Sequence, residues 1–470
     1  MIDPKNPTER LDTLTETGRR IFVIPAEVKG FFRRNRDWTQ FILIAIFLII
    51  PWITIKGVPL ILFDFPNRHF ALFGTAFFAH DAPNLFFIFL SLALGLAFVT
   101  AVWGRVWCGW ACPQTVFIDG VYRRIEILIE GKYLERRKLR DGDFTFEKLY
   151  KTILKWIAFF IVSSFFAHSF AAYFIGSKTL LKMIEQGPLH NLSYFNTISF
   201  ITGLLLFDFG WFREQFCIIA CPYGRFQSVL LDHHSMAVMY DETRGEPRKG
   251  LAIEPGQKTG DCVNCLRCVN VCPTGIDIRR GLQMECIACT ACIDACDEIM
   301  EKVKKPKGLI RYNTLAQKGV KVIRPRTALY GMIIIAALTG LTTRLSIRED
   351  FDAKIIRSIE APYQKMMNEA GQPIIVNHFK VHITNQTSEE GEFEVIPDAS
   401  WATMGIVLTM PINPVKIDPG SQNTPHFFVK VPATLPLVKG ELFTKIFIQN
   451  KLKPNSKKIE KELKILGPIN

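Results

Sequence analysis

Eight of the chain's twelve cysteines fall in two short runs, Cys262-x2-Cys265-x2-Cys268-x3-Cys272-Pro273 and Cys286-x2-Cys289-x2-Cys292-x3-Cys296. Thiolates two residues apart wrap one face of an iron–sulfur cube, and the fourth ligand comes from the other run. The spacing therefore predicts crossed sets: Cys262, Cys265, Cys268 and Cys296 for one 4Fe-4S cluster, and Cys286, Cys289, Cys292 and Cys272 for the other. Zinc also takes four thiolates, but a duplicated eight-cysteine pattern favours paired cubanes. Two such centres make an electron relay. Pro273 bends the chain after the first run, whereas the second ends Cys296-Asp297.

The other four cysteines form two pairs of the type Cys-x3-Cys-Pro: Cys108 and Cys112 before Pro113, and Cys217 and Cys221 before Pro222. On a helical turn this spacing puts both sulfurs on one face. A soft, thiolate-rich site suits copper(I), zinc or reversible dithiol chemistry. Copper fits an electron relay well, because copper(II) accepts one electron and copper(I) prefers sulfur. The bland reading is that these are small buried residues whose prolines end helices. Repetition of the motif favours function without identifying the metal.

These residues need elements to position them. The chain has 470 residues, room for roughly three units, with 49% hydrophobic and 21% charged residues and net charge +13. Its mean hydropathy of +0.16 fits neither a disordered chain nor an ordinary soluble globule. Apolar runs near Trp38–Ile55, Asn84–Trp103, Leu154–Ile175, Tyr194–Trp211 and Thr327–Leu341 predict five transmembrane helices, with a buried or re-entrant helix as the alternative for one of them. Lys155 sits at the edge of the third and Asp208 inside the fourth. Lys and Arg are dense in residues 1–37, 104–153 and 213–326 and sparse in 56–83 and 177–193. The positive-inside rule then puts the N-terminus and both cysteine regions in the cytoplasm and residues 344–470 outside. Each Cys-x3-Cys-Pro pair follows an outside-to-inside span, so all four thiols can meet at the cytoplasmic membrane surface.

The resulting organisation is a mixed membrane protein. It has a cytoplasmic segment 1–37, a four-helix membrane core 38–212 and a cytoplasmic segment 213–326 holding a two-cluster ferredoxin-like region at about 255–305. A fifth helix, 327–343, leads to a linker 344–375 and an external β domain 376–470. In that last domain the alternating stretches Phe379–Ile383, Phe393–Ile396, Phe427–Val431 and Leu442–Ile448 read as strands of a sandwich, with 411–425 as a long turn. No cysteine follows Cys296, so this domain reads as a docking module. The basic loops follow from topology, and no nucleic-acid recognition module accompanies them.

Among the remaining titratable residues, His168 lies inside the third span, either as a quinone, proton or metal contact or as a histidine packed between helices. His80 precedes the second span, and His233-His234 follows the second cysteine pair as a loop or metal contact. No opposed pair of intramembrane histidines offers haem ligation. Asp119 and Glu126 read as a helical surface ahead of the alternatives, a metal contact or pairing with Arg123 and Arg124, and Arg123–Arg140 as an amphipathic stretch that lies near anionic lipid or caps the cytoplasmic assembly.

Together the paired cluster runs, the two Cys-x3-Cys-Pro elements and the fifth span with its outer domain resemble the cytochrome c oxidase accessory family called CcoG, FixG or RdxA. The resemblance covers nearly the whole chain. It implies an immunoglobulin-like periplasmic domain and a multi-pass bacterial inner-membrane protein. It further implies a cupric reductase that supports copper delivery to cbb3-type cytochrome oxidase, with copper chaperones or oxidase assembly factors as partners. Carried over, Cys108, Cys112, Cys217 and Cys221 match the membrane cysteine motifs, with direct copper ligation there an inference from the residues. Quinol dehydrogenase subunits of the NapH type share the four-span core and the ferredoxin segment but are shorter. Two other functions therefore stand beside the reductase: quinol oxidation, and a copper chaperone or assembly scaffold with structural clusters. The electron donor, quinol or a soluble reductant, and the oligomeric state, a homo-oligomer included, stay open.

Overall fold

The computed structural model describes residues 22–468, apart from 56–57, 67–68, 74, 78–81, 251–258, 315–320, 348, 359–360, 368–370, 388, 439 and 454–457. His80 and the start of the predicted ferredoxin region lie outside the described residues. Two compact units result: one runs to Trp52 and resumes from Phe86 to Gly340, and the other takes Ile53–Leu85 and the chain from Leu341.

Among the described residues, four helices are long and apolar enough to cross a membrane: Pro83–Trp103, Phe146–Ile175, Leu192–Phe212 and Pro325–Ile347. Many of their large apolar side chains, among them Phe86, Phe89, Phe160, Ile161 and Leu204, are exposed rather than packed, as suits a face against lipid. The first expected run behaves differently. Its helix spans Phe31–Ile49 and continues in a tighter turn over Ile50–Trp52, while Thr54–Ile55 is already a strand. The helix begins among Arg33, Arg34, Arg36 and Asp37, so its apolar part covers only residues 38–52, fewer than the roughly 17 residues a perpendicular span needs. Pro51 cannot continue the hydrogen-bond ladder. The fifth run, by contrast, extends further than the sequence suggests, because Arg344 near its end donates to Asn84 Oδ1 at 3.2 Å.

Asp294 anchors the first helix from a distance. Its carboxylate accepts from the Phe32 and Arg33 amides at 3.2 and 2.7 Å, satisfying two donors that a helix start leaves open. A Cβ on Gly30 would overlap that carboxyl group, so only glycine admits this approach. The cluster segment is closed by strands Met236–Tyr240 and Ile310–Thr314, paired antiparallel from Met236↔Thr314 to Tyr240↔Ile310. The eight cysteines lie between them in sequence.

In the other unit, the chain from Phe351 forms two antiparallel sheets. Strand Pro373–Asn385 is central to the larger sheet and Glu441–Asn450 to the smaller. All four predicted strands are present, and their inward residues Phe379, Val381, Phe393, Phe427, Val429, Ile446 and Ile448 make one core. Two boundaries need correction. The segment read as a linker over 344–375 contains strands Phe351–Arg357 and Gln364–Met367, both paired to Pro373–Asn385. The segment read as a turn over 411–425 carries strands Val415–Ile417 and Gln422–Asn423. The last three of these four strands are short runs with a weak alternating signal; Phe351, Val415 and Ile417 nevertheless enter the core.

Candidate redox site

The eight ferredoxin cysteines line two cavities. One is bounded by Cys272, Cys286, Cys289 and Cys292, with Cys268 at its edge, and the other by Cys262, Cys265, Cys268 and Cys296. The backbone fits an anionic cluster as well as the thiols do. Asn264 and Leu266 in the first run, and Ala288 and Thr290 in the second, all have φ between 52° and 63°. No glycine occupies any of these left-handed positions. Such turns aim successive amide N–H groups into a concavity that holds anions, and their repetition at the same offsets after the first cysteine of each run identifies a duplicated cradle. The fourth cysteines differ: Cys272 precedes Pro273 in a turn, whereas Cys296 lies inside the helix Ala291–Lys302. There Asp297 Oδ1 accepts from the Gly308 amide at 2.8 Å.

The two Cys-x3-Cys-Pro motifs share a local structure that spacing alone does not reveal. Cys108 lies in the short helix Val106–Trp110 and Cys217 in the wide turn Phe216–Ala220. The second cysteine of each pair is extended, with φ −61° at Cys112 and −72° at Cys221. It caps a new helix whose first residue is Pro113 or Pro222, where proline's missing N–H costs nothing. Each pair therefore straddles a helix break instead of riding one turn. Both breaks are closed alike, by the Cys112 amide on the Trp107 carbonyl at 2.8 Å and the Cys221 amide on the Phe216 carbonyl at 2.7 Å.

The fold brings the two pairs into electrostatic contact, Cys108 and Cys217 each with Cys112 and Cys221. Cys108 and Cys217 also pack in the same apolar cluster as Ile287, Cys289 and Cys292 of the second ferredoxin run. The approach is close because residue 109 has no side chain: a Cβ there would stand 2.6 Å from the Ile287 carbonyl oxygen and 2.7 Å from that of Ala288. Arg105 fastens the junction, donating to the Met284 carbonyl, to that of Cys286 at 3.2 Å and to that of Gly224 at 3.1 Å. Gln227, itself fully buried, donates to Cys108 Sγ at 2.9 Å. Among the described residues no three Cys, His, Asp or Glu side chains are grouped tightly enough for a single metal ion.

Burial pushes the Cys108 thiol up to about 11, against the opposing pull of the Gln227 hydrogen bond. It raises Cys112 and Cys217 as well, with neighbouring sulfurs adding to the effect. These thiols hold their protons until a cation replaces them.

Around the motifs stands a buried ionic frame. Asp119 is 4% exposed and pairs with Arg33 at 2.7 Å, Arg36 at 2.6 Å and Arg123 at 3.2 Å. Although burial opposes its ionisation, the three guanidinium groups hold Asp119 well below the usual carboxylate range. Arg123 continues to Glu214, while Glu126, only 1% exposed, pairs with Arg136 and Arg213. Lys155 at the foot of the third span reaches Glu130 at 2.6 Å. The helical-surface reading of Asp119 and Glu126 is thus overturned in favour of ion pairing, for Asp119 with Arg123 among others, and Arg123 and Arg136 are buried instead of facing lipid; Arg124, Arg137, Lys138 and Arg140 are exposed. Net charge along a segment cannot tell a solvated face from a paired interior. Asp208 in the fourth span has a comparable partner, Gln114 of the first motif, whose Nε2 donates to it at 2.8 Å.

The histidines lie elsewhere in the interaction pattern. His168 Nδ1 donates to the Ser164 carbonyl one turn back at 2.8 Å, and its ring meets Tyr194 edge-on. The His234 amide donates to Asp232 Oδ1 at 2.8 Å, fixing the turn.

Comparison with known proteins agrees with this construction. Residues 212–315 match a family model described as a 4Fe-4S dicluster domain, and residues 85–134 one described as a 4Fe-4S binding domain. Residues 341–468 match the IG-like fold at the C-terminus of FixG. Protein RdxA of Cereibacter sphaeroides is 33% identical over 395 residues, covering 80% of this chain and 82% of its own. This chain belongs to the FixG/RdxA family. Protein RdxB of the same organism is 33% identical over 82% of this chain and 84% of its own. The nitrogen fixation protein FixG of Rhizobium meliloti is 36% identical over 64% of this chain and 59% of its own. The family member described here is an iron–sulfur electron-transfer protein of the membrane, with an immunoglobulin-like domain at its C-terminal end.

Proposed function

We propose that this FixG/RdxA-family chain is a cupric reductase, passing single electrons to copper(II) at Cys108, Cys112, Cys217 and Cys221. The observation that carries the reading is the packing of Cys108 and Cys217 against Cys289 and Cys292, which puts soft metal ligands beside a redox ligand set. Cys262, Cys265, Cys268 and Cys296 hold one 4Fe-4S cluster, and Cys272, Cys286, Cys289 and Cys292 the other. When bound, the clusters supply one electron at a time at potentials tuned by hydrogen bonds and burial. The four thiols replace protons with copper, Gln227 orients Cys108, and Arg105 with Gly109 holds the thiol helix against the second run. Copper(II) takes one electron and leaves as copper(I), bound by sulfur until a copper chaperone or oxidase assembly factor receives it. Quinol or a soluble reductant refills the clusters.

The orientation proposed is that of the bacterial inner membrane, with the N-terminus and clusters cytoplasmic and the C-terminal domain periplasmic. Supporting it, the Asp294 contacts hold residues 32–33 at the cluster segment, and Arg105 ties the end of the Pro83–Trp103 helix to the same segment. The chain between them must then cross the membrane once more, giving five crossings with a short or locally thinned first one.

A second reading, a third cluster on the four thiols, is favoured by the iron–sulfur family match over residues 85–134, which contains Cys108 and Cys112. Anaerobic purification separates the two. The reductase reading expects about eight iron atoms per chain and copper(I) formation from copper(II) by the dithionite-reduced protein, lost in Cys108→Ser and Cys217→Ser variants that keep their iron. About twelve iron atoms, falling in those variants, would replace it with the third cluster.

A further inference from the structure

Beside the first helix lies a cleft of about 530 Å³ that the chemistry above does not use. Its lining carries seven basic side chains against three acidic ones. Glu126, Glu130 and Glu214 neutralise Arg136 and Arg123 from behind, yet the balance stays positive. Lys29 and Arg34 are exposed on its rim and have no acidic partner among the described residues. Deeper in, Arg36, Arg123 and Arg136 are each more than nine-tenths buried; the Nε–H groups of Arg36 and Arg123 lack an acceptor, while that of Arg136 faces Glu130 at 3.7 Å. Buried donors of this kind are rarely left unmatched. The rest of the lining is apolar, with Pro25, Ala26 and Val28 from the N-terminal segment and Val271, Pro273 and Ala291 from the ferredoxin segment.

A guanidinium-rich floor beside an apolar wall suits a ligand with an anionic end and a flat body. Arginine recognises phosphate through paired N–H donors, and the volume lies within the range of small-molecule sites. We propose that this cleft binds a phosphate-bearing organic anion of mononucleotide size. Val271 and Pro273 flank Cys272, and Ala291 precedes Cys292, so the ligand would lie against the turn that carries Cys272 and the start of the helix that carries Cys292. The proposal does not depend on copper. A lipid headgroup offers the same phosphate chemistry from the membrane side, and the test distinguishes the two sources.

The full chain is placed in phosphatidylcholine nanodiscs and titrated with flavin mononucleotide, followed by its fluorescence, with riboflavin as the phosphate-free control. Saturable binding is expected, about tenfold or more weaker for riboflavin and weakened as much by Lys29→Glu with Arg34→Glu, and falling with added salt. Both substituted residues are exposed, and unchanged cluster absorbance reports an intact fold; the riboflavin comparison needs no variant. In phosphatidylglycerol nanodiscs, loss of flavin binding, with phosphatidylglycerol retained through delipidation by the wild type and not by the double variant, assigns the phosphate to lipid. The absence of both flavin binding and lipid retention overturns the proposal, as does equal affinity for flavin mononucleotide and riboflavin or for wild type and double variant.

Discussion

The two cysteine regions reach their geometry by opposite routes. In the ferredoxin segment each run makes its own cradle: left-handed residues at Asn264, Leu266, Ala288 and Thr290 turn the backbone around the thiols within a dozen residues. At the membrane boundary, Cys108 and Cys217 are more than a hundred positions apart in sequence, and neither motif holds a site alone. They meet because Arg105, Gln227, Gly109 and the Asp119 frame hold four segments together. A local cradle is specified by spacing, whereas a tertiary one is specified by the partners that surround it. Damage to the first should be confined to one cluster, and damage to the second should spread.

The largest expected effect tests that confinement. Cys289→Ser should lower iron from about eight to about four atoms per chain, leaving the spectrum of the remaining cluster, measured by electron paramagnetic resonance, intact. Loss of all iron would show the two cavities to be one cooperative unit.

Next comes the frame. Asp119→Asn removes the shared anion from three guanidinium groups, two of them buried, and should destabilise the membrane unit by about 3–5 kcal/mol, read from thermal or denaturant unfolding. Asp119 ionises well below its ordinary range in the folded chain, so its stabilising contribution is fully present above the unfolded value of about 3.9. It is lost only as the pH falls from there through the lower folded value. Acid unfolding that begins near neutral pH would point to other groups.

A smaller effect belongs to the junction. Gly109→Ala puts a methyl group against two carbonyl oxygens and should cost about 1–3 kcal/mol, while iron content is preserved and copper(II) reduction slows. An unchanged rate would mean that the close approach serves packing alone.

Smallest is the proton balance. Because burial holds Cys108, Cys112 and Cys217 protonated, copper(I) binding should release about one proton per engaged thiol and tighten as pH rises from about 6 to 9. Titration in weak buffer measures this directly, and pH-independent affinity would remove the thiols from the site.

This contrast also explains what could be read from the chain beforehand. The ferredoxin spacing, the four long apolar helices and the four main strands of the outer domain are legible because each is local: a fixed cysteine offset, an unbroken apolar run, an alternation of period two. The left-handed residues carry little signal, since of Asn264, Leu266, Ala288 and Thr290 only the asparagine favours positions that usually take glycine. Asp119 and Glu126 read as a polar helix surface because their partners, Arg36, Arg136 and Arg213, lie up to 87 residues away. The strand Phe351–Arg357 is hidden because its alternation fails at the end, where Ile356 is exposed and Arg357 takes the inward register, and pairing with Phe379–Asn385 supplies what its own sequence lacks.

The most direct test of the account is single-turnover electron transfer. The reduced protein is mixed anaerobically with one equivalent of copper(II) while cluster absorbance and copper(I) are followed together, for the wild type and for Cys108→Ser and Cys217→Ser variants with full iron content. Cluster oxidation matched one-for-one by copper(I) is expected in the wild type, and its loss in both variants. Clusters that stay reduced in the wild type, or that are oxidised equally fast without these thiols, would contradict the reductase reading.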